Sequence, residues 1–418
     1  MRCSFPPRPA TLNQSVTETM DGAERPADPG RLIFFVGALI AIGPLSLDAY
    51  LPAMPAMAAA FDVPIVALQD TISIYLVGYG ISQLFGGAFS DQIGRKRIGL
   101  IGLSVFTTAS ILIAFATSIE QVQWLRFMQA LGGGFSTVIC MAIVRDVYPV
   151  EELGRRMAMM TLIMLASPII APALGAALLN LGWQSIFLFK AAYAITLLLV
   201  YWLRVPETRP GDWHRLSIVT TLSQCYSVIT RKVEGTRLPL RYASAMAFAA
   251  GVFMTFLTNS SFAYIEYFGV SSSAFPLYFS ISIVGLIATN LYAMRNLTPQ
   301  KAPAWFRTGL IVQAIAVVAL FGIVALGPFG IWSVVAPIAV LVASFGLTGP
   351  SGSSLYMSYF DKLAGSASSF YTTLMFGLGA ILGWISGQLS DGTLLPMVAT
   401  MLISSLLATT LGATLRAK

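Results

Sequence analysis

The stretch Gly87-Ala-Phe-Ser-Asp-Gln-Ile-Gly-Arg-Lys-Arg-Ile-Gly-Leu100 places an acid, glycines and three consecutive basic residues between two long apolar runs. A turn this short can only join two helices with almost no loop between them. Its cations, Arg95, Lys96 and Arg97, indicate which side of a membrane it faces, because cytoplasmic loops carry the excess of Lys and Arg. The stretch therefore predicts a membrane protein with this turn on the cytoplasmic side.

The composition excludes an ordinary soluble protein. Of the 418 residues, 56% are hydrophobic and 10% are charged, whereas charged residues make up about 25% of soluble domains. The net charge of +7 would suggest nucleic acid in a soluble chain, but here the cations lie between apolar runs and no nucleic-acid partner is predicted. Cys3, Cys140 and Cys225 have no paired or metal-like spacing, so neither a disulfide framework nor a metal site is expected. The single histidine, His214, falls in a polar loop, and no cofactor is predicted.

Twelve apolar runs follow Arg31, each close to the roughly 20 residues that a helix needs to cross a bilayer. The predicted fold is therefore an all-α integral membrane protein with twelve transmembrane helices. The runs cover residues 32–53, 68–90, 98–117, 122–144, 157–179, 184–204, 240–264, 274–294, 306–326, 331–356, 365–389 and 394–415.

The longest polar interval divides these runs into two sets of six. We expect a disordered cytoplasmic tail at 1–30, an N-terminal six-helix bundle at 31–205, a cytoplasmic central loop at 206–239 and a C-terminal six-helix bundle at 240–418. Two blocks of nearly equal length are what internal duplication produces in transporters, so the bundles should be pseudo-symmetric. Within the loop, residues 216–233 are predicted to form an amphipathic helix on the inner membrane surface. The tail lacks an apolar signal-peptide run, and Met20 is an alternative start.

The distribution of cations predicts the topology. Of the 25 Lys and Arg residues, all but Arg126 and Lys190 lie in the tail, in alternate loops with the helix ends beside them, or at the C-terminus. The six intervening loops hold none. By the positive-inside rule, both termini are expected in the cytoplasm.

Charged residues inside a spanning helix are costly and are functional candidates by default. Asp48 lies about four residues before the outer end of helix 1 and Arg126 about four residues after the outer start of helix 4, so each is roughly 6 Å below the interface. These depths permit an Asp48–Arg126 pair, and a carboxyl group in a partly dry cavity can load and release a proton. Lys190 and Asp70 lie in the same outer third. Snorkelling to the headgroups is the competing interpretation for all four, and it is stronger for Lys190 and Asp70.

Several segments, in the right order and on the right helices, resemble the twelve-helix drug:proton antiporters of the major facilitator superfamily. The resemblance is closest to the bicyclomycin/chloramphenicol-resistance (Bcr/CflA) branch. The turn that begins at Gly87 resembles the signature G-x-x-x-D-x-x-G-R-R/K-x between helices 2 and 3. Residues 48–55, Asp-Ala-Tyr-Leu-Pro-Ala-Met-Pro, resemble the branch's helix 1 end, and residues 125–132, Leu-Arg-Phe-Met-Gln-Ala-Leu-Gly, resemble the helix 4 motif. Residues 171–175, Ala-Pro-Ala-Leu-Gly, resemble the antiporter motif G-x-x-x-G-P-x-x-G, with Ser167 and Ala171 in place of two glycines.

The resemblance implies a role for each motif. Asp48 and Arg126 would take part in proton coupling, and Asp91 with Arg95 would latch the inner gate. The gate motif would comprise Gly87, Asp91, Gly94, Arg95 and Lys96. The antiporter motif would comprise Pro168, Ala171, Pro172 and Gly175.

Physical arguments support these roles and leave alternatives open. Asp91 lies on the same side as the start of helix 11 near Gly365, and a helix N-terminus carries about half a positive charge. An acid docked there would hold the two halves together, although a simple surface turn is the competing interpretation. The small residues of helix 5 allow close backbone approach, which fits either a gating interface or plain packing.

The substrate cavity is expected to be lined mainly by apolar and aromatic groups, because such pockets accept varied ligands. Each candidate is individually as well explained by core packing or lipid contact. The candidates from helices 1, 2, 4 and 7 are Tyr50, Tyr75, Gln83, Met128, Met141, Phe256, Asn259 and Tyr264.

We therefore expect a proton-coupled multidrug exporter of the bacterial inner membrane that works by alternating access. It would be a monomer whose partners are a small-molecule substrate, protons and the lipid bilayer. Export of an endogenous metabolite or siderophore, or uptake by symport, would use the same fold and stays open. An enzyme would need a nucleophile set, metal ligands or a phosphate loop, and a sensor would need a soluble signalling domain; neither pattern is found in the sequence.

Overall fold

A computed structural model describes residues 29–208, 217–233, 235–327, 330–360 and 363–414. Residues 1–28 of the predicted tail and His214 lie outside the described residues. Within them, twelve helices are long and apolar enough to span a membrane, which confirms the predicted all-α architecture. Helices 1 to 12 are Leu32–Phe61, Ile65–Ile93, Arg95–Ala114, Ile119–Val147, Glu152–Leu179, Gln184–Arg204, Leu238–Tyr267, Phe275–Asn296, Ala302–Leu326, Ile331–Met357, Ala364–Gln388 and Leu395–Ala413.

Helix 1 is interrupted just after Asp48. Its α-helical segment Ile42–Asp48 is followed by a 3₁₀ turn at Leu51–Ala53, and the helix resumes as Met54–Phe61. Pro52 in this turn has no N–H group with which to continue the α-helical ladder. The last carbonyls before the interruption are therefore free to accept from side chains of neighbouring helices.

The apolar core distinguishes the two ends of the molecule. We call the end with the Gly94 turn the motif end and the opposite end the far end. At the far end, one apolar cluster spans both halves and joins Tyr50 and Ile72 to Phe256 and Phe279. Toward the motif end the core divides into two clusters, one in each bundle. The halves are thus packed together at the far end and divided at the motif end, where a cavity of about 360 Å³ lies between them.

Helices 2 and 11 form the main seam between the halves, and helices 5 and 8 form a second one. Halfway along the main seam, Thr373 Oγ1 donates to the Gly80 carbonyl at 2.9 Å. Towards the far end, Gly387 packs against the side chain of Gln69. Glycines on the seam let the two backbones approach closely.

The central loop contains a helix at Ile218–Thr230, within the predicted range 216–233. Just before it, the Ser217 backbone N–H donates to Gln92 Oε1 of helix 2 at 2.7 Å. Within it, Gln224 Oε1 accepts from the Ser366 hydroxyl of helix 11 at 2.8 Å. The central-loop helix therefore links both sides of the main seam at the motif end.

Candidate functional site

Three charged side chains lie in the interior of the N-terminal bundle towards the far end. Asp48, Arg126 and Lys190 are 4%, 0% and 1% exposed. Neither cation reaches the surface, so the snorkelling interpretation is wrong for Arg126 and for Lys190. Charged groups that are buried this deeply require polar partners.

Both cations are held by the same backbone carbonyl, that of Ser46 in helix 1. Lys190 Nζ donates to it at 2.9 Å, and Arg126 Nη1 donates to it at 3.2 Å. Arg126 Nη1 also donates to Gln129 Oε1 at 2.7 Å. Ser46 lies in the last turn before the helix ends at Asp48, where carbonyls lack intrahelical partners and the helix end attracts cations.

Aromatic rings enclose the two cations. The Arg126 guanidinium carbon lies 4.8 Å from the ring centroid of Tyr50 and 4.5 Å from that of Tyr75. Lys190 Nζ lies 4.7 Å from the ring centroid of Phe187. Cation–π contacts of this kind stabilise charge away from water. They leave Arg126 Nε and Nη2 without a hydrogen-bond partner among the described residues.

The depth-matched pair Asp48–Arg126 is not an ion pair in this structure. Among the described residues, no salt bridge within 4.0 Å joins the Asp48 carboxylate to Arg126. No salt bridge within 4.0 Å joins Asp48 to Lys190 among the described residues either, although Lys190 Nζ binds the Ser46 carbonyl, two residues before Asp48. The proton-coupling role of Asp48 stays a prediction, and the two buried cations near it are Arg126 and Lys190.

The gate motif forms an ionic cluster at the motif end. Arg95 Nη1 contacts Asp91 Oδ1 at 2.6 Å and Ser90 Oγ at 2.5 Å, and Arg95 Nε contacts Asp146 Oδ2 at 3.3 Å. Gly94 has a φ of 104°, a conformation that disfavours side chains, which explains why the turn needs glycine there. The glycine turn thus aims Arg95 back at the acid of its own motif.

Glu207 completes this cluster, and the sequence analysis missed it. Its two carboxylate oxygens accept from the backbone N–H groups of Arg95 and Lys96 at 2.9 and 3.0 Å, at the start of helix 3. A carboxylate is favourable at a helix N-terminus because it satisfies unpaired N–H groups and the helix dipole. The available signal was an acid just after helix 6, which ends at the same side of the bundle as helix 3 begins.

The cavity at the motif end lies between the gate motif and helix 11. Gln83, Asp91 and Met141 line it from the N-terminal bundle, and residues 363–366 line it from the C-terminal bundle. Gly87 lies close to helix 11, since a β-carbon there would lie 3.5 Å from Ser369 Oγ. Asp91 therefore faces the same space as the start of helix 11, and Arg95 is its ion-pair partner.

The antiporter motif packs helix 5 against helix 1 beside Asp48. The Ala49 carbonyl occupies the space that a side chain on Gly175 would need. Ala171 is fully buried, and Ser167 Oγ donates to the Ala41 carbonyl at 3.5 Å. Two further motif residues, Pro168 and Pro172, lie inside the same helix.

The eight cavity candidates separate into four groups. Gln83 and Met141 line the motif-end cavity, whereas Tyr50 and Tyr75 flank Arg126. Met128 is 40% exposed on the same face as Trp124, which points it away from the interior.

The remaining candidates belong to the packed far end. Phe256 and Tyr264 are fully buried, with ring centroids 6.1 Å apart. Asn259 Oδ1 accepts from Gln69 Nε2 at 3.2 Å across the two halves. Nearby, Asp70 accepts from Gln388 Nε2 at 3.2 and 3.3 Å.

Two bundles of spanning helices, divided at one end and enclosing buried charges, define the architecture of a membrane transporter. Residues 34–384 match the profile of the Major Facilitator Superfamily. The chain belongs to this family.

Curated relatives confirm the resemblance to the Bcr/CflA branch. The bicyclomycin resistance protein homolog of Haemophilus influenzae is 26% identical over 371 residues, with 88% of this chain and 92% of that protein covered. Multidrug resistance protein D of Escherichia coli is 27% identical over 388 residues, with 89% and 94% covered. The multidrug resistance protein MdtL of Shigella flexneri is 29% identical over 351 residues, with 77% and 85% covered.

Solved structures share the fold at low sequence identity. An inward-facing, occupied structure of a bacterial homologue of the human lysosomal transporter Spinster has a TM-score of 0.70 at 14% identity, with 93% of this chain and 96% of that chain covered. A D-xylose-proton symporter has a TM-score of 0.70 at 13% identity, with 90% and 97% covered.

Proposed function

We propose that this chain exports small, largely apolar drug-like compounds across the bacterial inner membrane in exchange for protons. The observation that carries the proposal is the buried acid Asp48, held among two cations inside a bundle of apolar helices. A carboxyl group in this position can bind a proton and release it within a conformational cycle. The named relatives, which are bicyclomycin and multidrug resistance proteins, support export of drugs.

We infer that this arrangement is the one that would receive substrate from the cytoplasm. The motif end carries Arg95, Lys96 and Arg97, so by the positive-inside rule it is the cytoplasmic end, and both termini lie on that side. Because the cavity lies between the halves at that end and the far end is packed, the cytoplasmic side is the proposed side of entry. Rocking of the two bundles would then expose it to the opposite side.

Each half of the exchange requires a ligand that prefers one state. Protonation of Asp48 from outside would favour return to the cytoplasm-facing state, and substrate bound there would favour the outward-facing state. The motif-end cavity, which includes Gln83 and Met141, is the proposed entry. The protein is proposed to work as a monomer.

Proton flux in inverted membrane vesicles tests the proposal. The vesicles are energised and then challenged with chloramphenicol-like compounds and with lipophilic cations, for the wild type and for Asp48→Asn. Proton release that is present in the wild type and absent in the variant is the expected result. Release that survives in Asp48→Asn would place the proton elsewhere, and no response to any compound would favour a narrow exporter of an endogenous metabolite or siderophore.

A further inference from the structure

Lys190 is the third charged residue of the site that holds Asp48 and Arg126. Lys190 lies on helix 6, is 1% exposed, and donates from Nζ to the Ser46 carbonyl at 2.9 Å. The rings of Phe187 and Tyr50 lie 4.7 and 5.8 Å from Nζ. The ammonium group is therefore fixed inside the bundle. The carbonyl that it binds belongs to Ser46, two residues before Asp48 on helix 1.

The charges in this cluster do not balance without Asp48. Arg126 and Lys190 approach the same Ser46 carbonyl, so they repel each other at short range. Arg126 is compensated by Gln129 Oε1 at 2.7 Å and by the faces of Tyr50 and Tyr75. Lys190 has the Ser46 carbonyl and two rings as contacts, and the Asp48 carboxylate attracts it at longer range, beyond the 4.0 Å of a salt bridge. Among the described residues, Asp48 is the only carboxylate of this cluster.

We propose that Lys190 is the counter-ion of Asp48 and a positioning residue of the proton site, an inference that rests on the proposed proton exchange. The proton adds to a carboxylate oxygen of Asp48 and later leaves from the same carboxyl group. While Asp48 is ionised, its negative charge attracts Lys190 and so favours the packing of helix 6 on helix 1. Once Asp48 is protonated, Lys190 and Arg126 face each other across one carbonyl, and this packing of helix 6 on helix 1 becomes less favourable. Proton binding thereby changes the relative free energies of the two states, as coupling requires.

The other groups around the carboxyl do not substitute for Lys190. The charged and titratable neighbours come from helices 1, 2, 4 and 6, and the residues that helix 5 packs against this region, such as Ala171 and Leu178, are apolar. The two tyrosines are neutral when protonated, and the guanidinium is held by other acceptors. These neighbours are Tyr50, Tyr75, Arg126 and Lys190.

The test is the pH dependence of drug-driven proton release in inverted vesicles that contain the full chain. Lys190→Met removes the charge at similar length, and Lys190→Arg retains it. Without the ammonium, the carboxyl holds its proton more tightly, so the acidic limb of the profile should move to higher pH by about one unit, a tenfold change in proton binding. Lys190→Arg should keep the midpoint within about 0.3 unit of the wild type, on the same scale.

A matched control lies one turn away on the same helix. Tyr193 OH donates to the Ala38 carbonyl at 2.8 Å, which is another contact between helices 6 and 1 that carries no charge. Tyr193→Phe should change the rate of release at most and leave the midpoint unmoved. If Lys190→Met fails to fold, Lys190→Gln and the charge-balanced Asp48→Asn/Lys190→Met variant replace it, and the latter should fold at higher yield than Lys190→Met alone.

The outcomes separate the two proposals. A wild type that releases protons, with an unmoved midpoint in Lys190→Met or Lys190→Gln, overturns the role of Lys190 and leaves the exporter intact. An equal shift in Tyr193→Phe would also overturn it, because the effect would then follow helix packing rather than charge. A wild type that releases no protons with any compound removes both proposals.

Discussion

Two hydrogen-bonded side-chain pairs join the halves at the far end among the described residues. Removing both should favour the state in which that end is open. Gln69 Nε2 donates to Asn259 Oδ1 at 3.2 Å, and both residues are buried. Gln388 Nε2 donates to the Asp70 carboxylate at 3.2 and 3.3 Å, at the surface. The double variant Gln69→Leu/Gln388→Leu removes both bonds with side chains of moderate size.

The expected effect follows from burial. Removing one partner of a buried hydrogen bond leaves the other group unsatisfied and costs about 1–3 kcal/mol. The surface bond to a carboxylate contributes less, about 0.2–1 kcal/mol. Together, the two losses should destabilise the state with a closed far end by about 2 kcal/mol relative to the state with an open far end, because water satisfies the same polar groups when that end is open. This corresponds to a shift of roughly 30-fold in the equilibrium between the two states.

Distances between spin labels can measure this shift. Labels on cysteines at Leu181 and Ser273, which are exposed at the far end of the two halves, report the separation of the bundles. The double variant should gain a population at longer distance, whereas Gln121→Leu should not, because Gln121 Oε1 accepts from Thr117 N at 2.9 Å within its own bundle. Unchanged distance distributions in the double variant would show that these two bonds do not hold the far end closed.

Three further substitutions test the packing and the motif end. Gly175→Val should abolish properly folded protein, seen as loss of the monodisperse peak in size-exclusion chromatography, because the Ala49 carbonyl fills the required space. Glu207→Ala should cost about 1–2 kcal/mol, seen as a lower Tm, because two N–H groups at a helix start lose their acceptor. A disulfide between cysteines at Gly87 and Ser369 should form readily and stop transport until a reductant is added, since the positions are in contact.

Controls and contrary results are available for each of these. Gly377→Ala should be neutral, because nothing lies within 4 Å of the added carbon. Normal yield of Gly175→Val would mean that helices 1 and 5 can separate at no cost. An unchanged Tm in Glu207→Ala would remove the capping role. Cross-linked protein that still transports would show that helices 2 and 11 stay together at the motif end throughout the cycle.

The twelve spanning helices could be predicted because each depends on a local property, a run of apolar residues of fixed length. The gate turn could be predicted for the same reason, since Gly94 and the adjacent cations are consecutive in the chain. The interruption of helix 1 was not foreseen. It depends on Pro52 within a longer apolar run. The hydrophobic pattern of such a run is the same whether its helical hydrogen bonds are continuous or interrupted.

The partner of Asp48 could not be predicted from the sequence. Position along a spanning helix predicts depth in the membrane, and the sequence predicts the same outer third for Asp48, Arg126 and Lys190. Contact depends also on rotation about each helix axis and on where a long side chain finds an acceptor. The Ser46 carbonyl that holds both cations is available only because the helix ends just after it, and a backbone carbonyl carries no signature in the sequence. The sequence does not give the rotation of helix 4 about its axis either, and for this reason it could not show that Met128, expected in the cavity, lies on an exposed face.

The arrangement of helix 2 explains how a change of charge at Asp48 can reach the seam between the halves. Tyr75 lies under the Arg126 guanidinium at 4.5 Å, and one turn further along Tyr79 is stacked on Tyr75 with ring centroids 6.2 Å apart. Tyr79 in turn meets Phe376 of helix 11 edge-on at 4.9 Å. A displacement of Arg126 would therefore press on Tyr75, and Tyr79 and Phe376 are packed neighbours through which it would reach helix 11. In the proposed cycle, this short row of packed rings would connect the proton site with helix 11, because packed side chains transmit a displacement directly.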